Sequence, residues 1–171
     1  LTEDKGDLGT INGFTDVILS TANITVTDNV NKTEADAIDA YNKTSGVVTL
    51  TSITDTVLNV TAVENNTNIS LDTSTITVTD AASLNDANAI NNFTTAQVTL
   101  NSVEDTYSNI QDIKKIDDAL VNMGAASVKV SDNVTKTEVD DLRTDTTGNI
   151  TLTSLTEDKG DLGTINGFTD V

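Results

Sequence analysis

The side chains best able to do chemistry in this chain are carboxylates, hydroxyls and amides, because it contains no His, Cys, Pro or Trp. Imidazole acid–base catalysis, thiol chemistry, disulfides and histidine metal sites are therefore excluded. The 27 acidic against 9 basic residues give a formal net charge of −18. This charge repels phosphate backbones and anionic lipids, so we expect no nucleic-acid partner and no membrane insertion by this segment. Cations stay open as ligands.

Aspartates recur at the ends of predicted strands and are the candidate metal ligands. The first set is Asp28, Asp80 and Asp132, and the second is Asp55, Asp105 and Asp158. Rows of carboxylates attract Ca²⁺. However, the DxDxDG loop and the GGxGxDxUx nonapeptide of known calcium repeats are both missing. Because Asp at a strand-to-helix turn ordinarily caps the helix or forms an Asx turn, we favour capping, with calcium as the alternative and no other cofactor.

Threonines form a second candidate surface, as T-x-T pairs on the predicted strands. They are Thr25 and Thr27, Thr49 and Thr51, Thr77 and Thr79, and Thr151 and Thr153. A ladder of such pairs resembles the flat faces of solenoid ice-binding proteins. Threonine is also the polar residue best suited to an exposed strand, and Asn101 and Lys129 interrupt the series. We therefore interpret the ladder first as an ordinary exposed face.

Asparagine supplies a third set of candidates, nine Asn-x-Ser/Thr triplets that are potential glycan acceptors in a secreting cell. They are Asn23, Asn31, Asn42, Asn59, Asn65, Asn68, Asn92, Asn133 and Asn149. A chain rich in Asn and Thr produces such triplets by composition alone. No carboxylate pair stands out from this repeated pattern, so we expect no enzyme activity.

The elements that position these residues are organised by a repeat. LTEDKGDLGTINGFTDV occurs as residues 1–17 and again as 155–171, an offset of 154 residues. Such identity is typical of a tandem array, and we interpret the chain as slightly more than one period of one. Within the period, ITVTD at 24–28, ITVTD at 76–80 and VKVSD at 128–132 lie 52 residues apart. This divides the chain into the end of a preceding unit at 1–23 and units at 24–75, 76–127 and 128–171.

Each unit contains a second strand-like run, namely VVTLT at 47–51, QVTLN at 97–101 and NITLT at 149–153. Both runs alternate apolar residues with threonine, which predicts six half-buried strands per period. Between them the apolar spacing changes to three or four, as in Ala35 and Ile38, which predicts short helices. Capping boxes are expected at Thr33 with Asp36, Ser83 with Asp86 and Thr137 with Asp140. The helix starting near Tyr107 is expected to continue through Leu120 to a C-cap at Gly124.

Strand and helix alternating every 26 residues or so imply parallel strands joined by crossovers. A module this small buries its apolar face only against neighbours. We therefore predict an α/β solenoid with a parallel sheet on one side; the alternative is a β-solenoid. With strands about 4.8 Å apart, six coils would place Leu155 about 29 Å from Leu1.

The order of ITVTD, capped helix, VTLxS, an acidic turn such as ITDT or VEDT, and a second helix resembles the tandem arrays of giant secreted or cell-surface repeat proteins of marine cyanobacteria and some proteobacteria. The resemblance implies an extracellular or cell-surface location. The expected function is a structural segment of a large fibre, sheath or layer; the alternative is an adhesin-type module that binds through the threonine face or calcium. The expected partners are neighbouring copies of the array, including lateral self-association.

Overall fold

The chain folds as an α/β protein in the computed structural model, which describes residues 1–19, 21–42, 46–116 and 120–157. The strands are β1 (Thr2–Glu3), β2 (Ile24–Val30), β3 (Val48–Asp55), β4 (Ile69–Ser70), β5 (Thr75–Ala82), β6 (Val98–Asp105), β7 (Val121–Asn122), β8 (Ser127–Val134) and β9 (Ile150–Leu155). The helices are α1 (Lys5–Asn12), α2 (Lys32–Asp39), α3 (Val57–Glu64), α4 (Leu84–Asn91), α5 (Tyr107–Ile113) and α6 (Lys136–Asp145).

All strands of the described residues join one parallel sheet, in the order β1-β2-β3-β5-β6-β8-β9. Two-residue strands β4 and β7 add to the starts of β3 and β6. The long strands thus lie side by side in sequence order, each separated from the next by a helix. This confirms the predicted α/β class and parallel sheet. The six predicted strands are present, and the three two-residue strands were not foreseen.

One face of the sheet carries the core. In β2, Ile24, Val26 and Val30 are buried, whereas Thr27 and Asn29 are exposed. The helices supply the other side of the core through the predicted three-residue stripes. The buried helical residues are Leu8, Ala35, Ile38, Val60, Val63, Ala87, Ile90, Ile110, Ile113, Val139 and Leu142. The helices cover only this apolar face, so the threonine side of the strands is partly open.

The helix starts differ from the prediction in two of three cases. Ser83 and Asp86 form the expected capping box of α4. For α2, however, the box is formed by Asn31 and Glu34. For α6 it is Thr135 with Glu138. The predicted capping boxes of Thr33 with Asp36 and of Thr137 with Asp140 were therefore wrong, each by two residues. The observed boxes form because the side chains of Glu34 and Glu138 reach back to the N-cap N–H.

The second helix of a unit departs from expectation in one of the two described cases. The spacing of Val57, Val60 and Val63 predicts a helix, with a 3₁₀ or irregular turn as the alternative, and α3 is a regular α-helix capped by Thr56. α5 ends at Ile113, and β7 follows where the helix was predicted to continue, so the C-cap at Gly124 was wrong. The same spacing in Leu162, Ile165, Phe168 and Val171 predicts a third helix of this kind, and these residues lie outside the described part of the chain.

The registers of neighbouring strands reveal a step that the sequence did not predict. Val48 of β3 lies opposite Ile24 of β2, but the matching residue of the next unit, Ile76, lies opposite Ile53, five residues farther along β3. The same step recurs at β6, where Val98 pairs with Ile76 and Val103 pairs with Val128. β4 and β7 fill the space that the step leaves beside the starts of β3 and β6.

This step changes the expected dimensions. The figure of about 29 Å from Leu1 to Leu155 assumed that equivalent residues lie directly opposite one another. A shift of five residues per unit adds about 16 Å along the strands for each unit, at about 3.3 Å per residue. The simple stacking distance was therefore too short.

Candidate functional site: the carboxylate row

Six carboxylates connect each long strand to the helix that precedes it in the chain. In every case the backbone N–H of the first helical residue donates to a carboxylate from the following strand or its end. We call these six side chains the carboxylate row. Its pairs are Lys5 with Asp28, Lys32 with Asp55, Val57 with Asp80, Leu84 with Asp105, Tyr107 with Asp132, and Lys136 with Glu157. The donor–acceptor distances of the first five bonds run from 2.8 to 3.0 Å.

The row satisfies helix donors that local caps leave free. The first four N–H groups of a helix have no partner within it. In α2 the N–H of Glu34 donates to the side chain of Asn31, and the N–H of Lys32 donates to Asp55 on the next strand. A carboxylate at a helix N-terminus also interacts favourably with the helix dipole. Each helix is thus capped twice, once locally and once from the neighbouring strand.

Three members of the row, Asp28, Asp80 and Asp132, owe their positions to a bulge. The register of β2 against β3 jumps between Val26 and Asn29, so that Thr27 and Asp28 together oppose one residue, Thr51. The jump recurs in β5 between Val78 and Ala81, and in β8 between Val130 and Asn133. A bulge leaves one residue out of the ladder and re-aims its side chain. Here the aspartate is aimed at the start of the preceding helix.

Two other members, Asp55 and Asp105, hold two elements at once. Asp55 accepts from the N–H of Lys32 at 2.8 Å with one oxygen, and from Thr56 N–H and Asn59 Nδ2, both at 2.8 Å, with the other. Asp105 repeats this arrangement with Leu84, Thr106 and Asn109. Burial raises the pKa of both carboxyls, but the hydrogen bonds to the charged form outweigh it, and both pKa values lie below the ordinary value.

The geometry favours capping over calcium binding at these positions. Asp28, Asp55, Asp80, Asp105 and Asp132 all accept backbone N–H groups, and in Asp55 and Asp105 both oxygens are engaged. Within residues 1–19, 21–42, 46–116 and 120–157, no group of three or more acidic side chains is placed to hold a metal ion. Asp158 lies outside the described residues. Glu157 fills the sixth position, which the sequence analysis did not assign.

The threonine face is stepped, because the strands themselves are stepped. Thr25 lies opposite Thr49, but Thr49 then meets Ser70 of β4, and Thr77 meets Thr54. The T-x-T pairs therefore do not form one ladder across all strands. In the third unit Lys129 takes the threonine position and pairs with Glu104 at 2.5 Å. Thr27, Thr79, Thr151 and Thr153 are exposed, and Thr25, Thr49, Thr51 and Thr77 are half-buried.

Two of these threonines also complete the bulges. Thr51 Oγ1 donates to the carbonyl of Val26 at 2.8 Å, and Thr153 Oγ1 donates to that of Val130 at 2.7 Å. These carbonyls lie where the register jumps and the ladder is interrupted. Thr51 and Thr153 thus stabilise the bulges that aim Asp28 and Asp132.

The asparagine triplets occupy unlike environments. Asn42 is buried, donates to the carbonyl of Ala22 and accepts from Gly46 N–H, so in the folded chain it is not open to a transferase. Asn59 is held by Asp55. Asn31 caps α2 from an exposed position. The side chains of Asn23, Asn65, Asn68, Asn92, Asn133 and Asn149 are exposed, and their modification stays a prediction.

Sequence reasoning missed a second polar row, buried between modules. Thr94 Oγ1 donates to the carbonyl of Ser74 at 2.7 Å, and Thr146 Oγ1 donates to that of Ala126 at 2.6 Å. Asn42 Nδ2 likewise donates to the carbonyl of Ala22. The same position of each unit thus donates a hydrogen bond to the loop before the preceding strand. The signal was present as a polar residue every 52 positions, at 42, 94 and 146.

A shallow polar cleft of about 470 Å³ lies between α5 and the turn before β8. Its charged wall is the ion pair of Lys114 Nζ with Asp145, at 2.5 Å, and the Asp145 side chain is only 4% exposed. Gln111 Nε2 donates to the other oxygen of Asp145. The pair neutralises itself, so this cleft offers no uncompensated charge to a ligand.

Comparison with known proteins adds no relative: no family model, curated protein or solved structure matches the chain. None of the helices in the described part of the chain is long and apolar enough to cross a membrane.

Proposed function

We propose that this chain is a structural segment of a tandem-repeat array in a very large extracellular or cell-surface fibre, sheath or layer protein. In this proposal each module of one strand and one helix is a coil of about 26 residues, and the coils continue as an α/β solenoid from one copy to the next. The neighbouring copies are its principal partners. Lateral self-association would need cations or glycans to offset the net charge.

The carboxylate row is the observation that carries the proposal. Each helix depends on a carboxylate from the next strand, so each module is completed by the module that follows it. A chain of such dependences favours a stiff rod, because bending between modules would break a charged hydrogen bond at every joint. A folded unit with its own site would need no such dependence on the following unit.

Repetition also argues for a spacer and against catalysis. The capping arrangement of Asp55 with Thr56 and Asn59 recurs, contact by contact, at Asp105 with Thr106 and Asn109. A catalytic or specific binding site needs one departure from the repeat, whereas a spacer needs sameness along its length. We therefore propose that the segment has no enzyme activity; turnover that disappears on replacing one carboxylate of the row would contradict this.

The test is to build chains with one, two and three copies of residues 1–154, each followed by 155–171, and to measure their maximum dimension by small-angle X-ray scattering. A stiff array gains the same length with each added copy. Globular units on flexible linkers would instead grow roughly as the square root of the copy number. That second outcome would contradict the proposed role.

The exposed threonines support an adhesin-type module as the second candidate. Thr27, Thr79 and Thr151 present hydroxyls on the face that the helices leave open. Binding of the chain to a glycan or mineral surface that is lost on replacing these three residues by Lys would favour this candidate over a simple spacer.

A further inference from the structure

An apolar strip lies in the segment between α1 and β2, the first long strand of the sheet. It consists of Phe14, Val17 and Ile18, whose exposed fractions are 53%, 40% and 78%. These residues follow α1 and precede β2, and Val17 and Ile18 belong to no strand. Three of the six large apolar side chains that are exposed in the described residues fall in this one segment.

The repeat identifies what is missing beside this strip. Val17 lies 52 residues before Ile69 and 104 before Val121. Ile69 pairs with Val48 and is 6% exposed, and Val121 pairs with Val98 and is 8% exposed. In both later units the pairing strand buries the residue. Ile69 and Val121, the equivalents of Val17, are therefore paired and buried where the first residues of an eight-residue strand lie beside them.

The missing strand can be read from β1. Thr2 pairs with Thr25 as Thr54 of β3 pairs with Thr77, so β1 corresponds to the second half of a long strand. Its sequence, beginning at Leu1, is identical to that beginning at Leu155. In the second copy Leu155 is preceded by the rest of β9, which starts at Ile150. The first half that would cover Val17 therefore has the sequence of residues 150–154.

We propose that the strip of Phe14, Val17 and Ile18 is the docking edge for β9 of a second copy of this repeat, through its residues 150–154. By the register of Val48 with Ile69, Ile150 of that copy would pair with Val17, and Thr151 would pair with Ile18. In this chain β9 is the last strand of the sheet, and its pairing on the described residues is with β8 alone. Among the described residues, the second edge of β9 has no partner strand, and such an edge is a template for parallel pairing with the segment of Val17 and Ile18.

The joint has a built-in restriction. In an array, residues 155–171 of one copy and residues 1–17 of the next are one and the same segment, because the two sequences are identical. Two separate 171-residue chains would each carry this segment and compete for one position, whereas copies joined in tandem share it. This inference rests on the proposed array and specifies how one copy continues the sheet of the copy before it.

The experiment extends the 171-residue chain at its N-terminus by GNITLTS, the residues that precede Leu155 in the second copy. The matched control carries GNSTSTS, which has the same length but replaces the two apolar residues of the extension, Ile and Leu, by Ser. Amide hydrogen exchange is then followed at Ile18. In the matching pair the N–H of Ile69 bonds to the carbonyl of Asn66 in its own turn, so the N–H of Val17 is not expected to reach the added strand. The proposal predicts exchange at least about tenfold slower in the extended chain than in the control. It also predicts a higher thermal midpoint for the extended chain.

Equal exchange in the two chains would overturn the docking edge. Because both chains retain residues 1–171 unchanged, circular dichroism will report whether the fold itself is preserved in each. The outcome is separable from that of the proposed function. A stiff array without protection at Ile18 would remove only this joint, and protection at Ile18 in an array of flexible beads would remove only the stiff rod.

Discussion

Replacing Asp55 by Ala tests whether the carboxylate row holds neighbouring modules together. The substitution removes the acceptor for two backbone N–H groups, those of Lys32 and Thr56, and for the amide of Asn59. A hydrogen bond to a charged group contributes about 1.5–3 kcal/mol. Because Asp55 is only half-buried, water will replace part of this contribution. We expect the free energy of unfolding to fall by about 2–3 kcal/mol, or about 5–10 °C in the thermal midpoint.

The matched control is Asp36→Ala. Asp36 is also a carboxylate beside Lys32, but its side chain is 46% exposed and forms an ion pair within α2. Such surface pairs contribute at most about 1 kcal/mol. Urea unfolding of both variants measures the difference.

Hydrogen exchange locates the effect. Loss of Asp55 should speed exchange at the start of α2, which it caps, and leave the start of α4, capped by Asp105, unchanged. An Asp55→Ala variant no less stable than Asp36→Ala, or one whose two helices exchange alike, would refute the capping argument.

Three further predictions follow from the same contacts. Because the folded-state pKa values of Asp55 and Asp105 are lowered, their stabilisation is fully present above the ordinary carboxyl pKa of about 4 and is lost as pH falls through the folded-state values. The double variant with Asn at both positions should therefore lose less stability than the parent in urea titrations between about pH 5 and pH 2. Thr146→Val should cost about 1–3 kcal/mol in urea unfolding, since the carbonyl of Ala126 and the N–H of Gly148 lose a buried partner; an unchanged midpoint would contradict this. Calcium should raise the thermal midpoint no more than NaCl at equal ionic strength, with EDTA as the blank, because the row already accepts backbone N–H groups; a large shift unique to calcium would restore the metal interpretation.

The sequence was sufficient for the features that depend on local pattern. Alternation of Ile24 and Val26 with threonine predicted strands, and the spacing of Ala35 and Ile38 predicted a helix, because burial on one face enforces both periods. The preference for capping at Asp28 and Asp55 also came from local turn chemistry. Local turn chemistry did not reveal, however, that these aspartates cap N–H groups at the start of the preceding helix, in another module.

The register step could not be predicted, because it depends on how two strands slide past each other. Both Val48 and Ile53 are apolar residues of β3, and either could face Ile76 without exposing the core. The bulge at Thr27 and Asp28 lies opposite the middle of β3, just before the residues that pair with β5, and it involves the Thr51 hydroxyl of another strand. Nothing in a single strand's pattern specifies that contact.

The helix boundaries failed for a related reason. Thr33 and Thr137 are plausible caps by residue type, but Asn31 and Thr135 are placed at the helix start by the end of the preceding strand. The continuation of α5 to Gly124 likewise ignored β7, whose two residues pair with β6 because the stepped sheet leaves room there.

The most direct test of the stepped parallel sheet is the distance between Thr27 and Ser131, which occupy the same bulge position two units apart. Both are exposed, and the chain contains no Cys, so cysteine substitutions there accept spin labels at these two sites only. Four strand steps separate β2 from β8. Equivalent residues stacked directly opposite one another would lie about 19 Å apart, whereas the register step of five residues per unit lengthens this to about 37 Å. Pulsed electron–electron double resonance should therefore give a distance of about 37 Å, and a distribution centred at about 19 Å would contradict the stepped sheet.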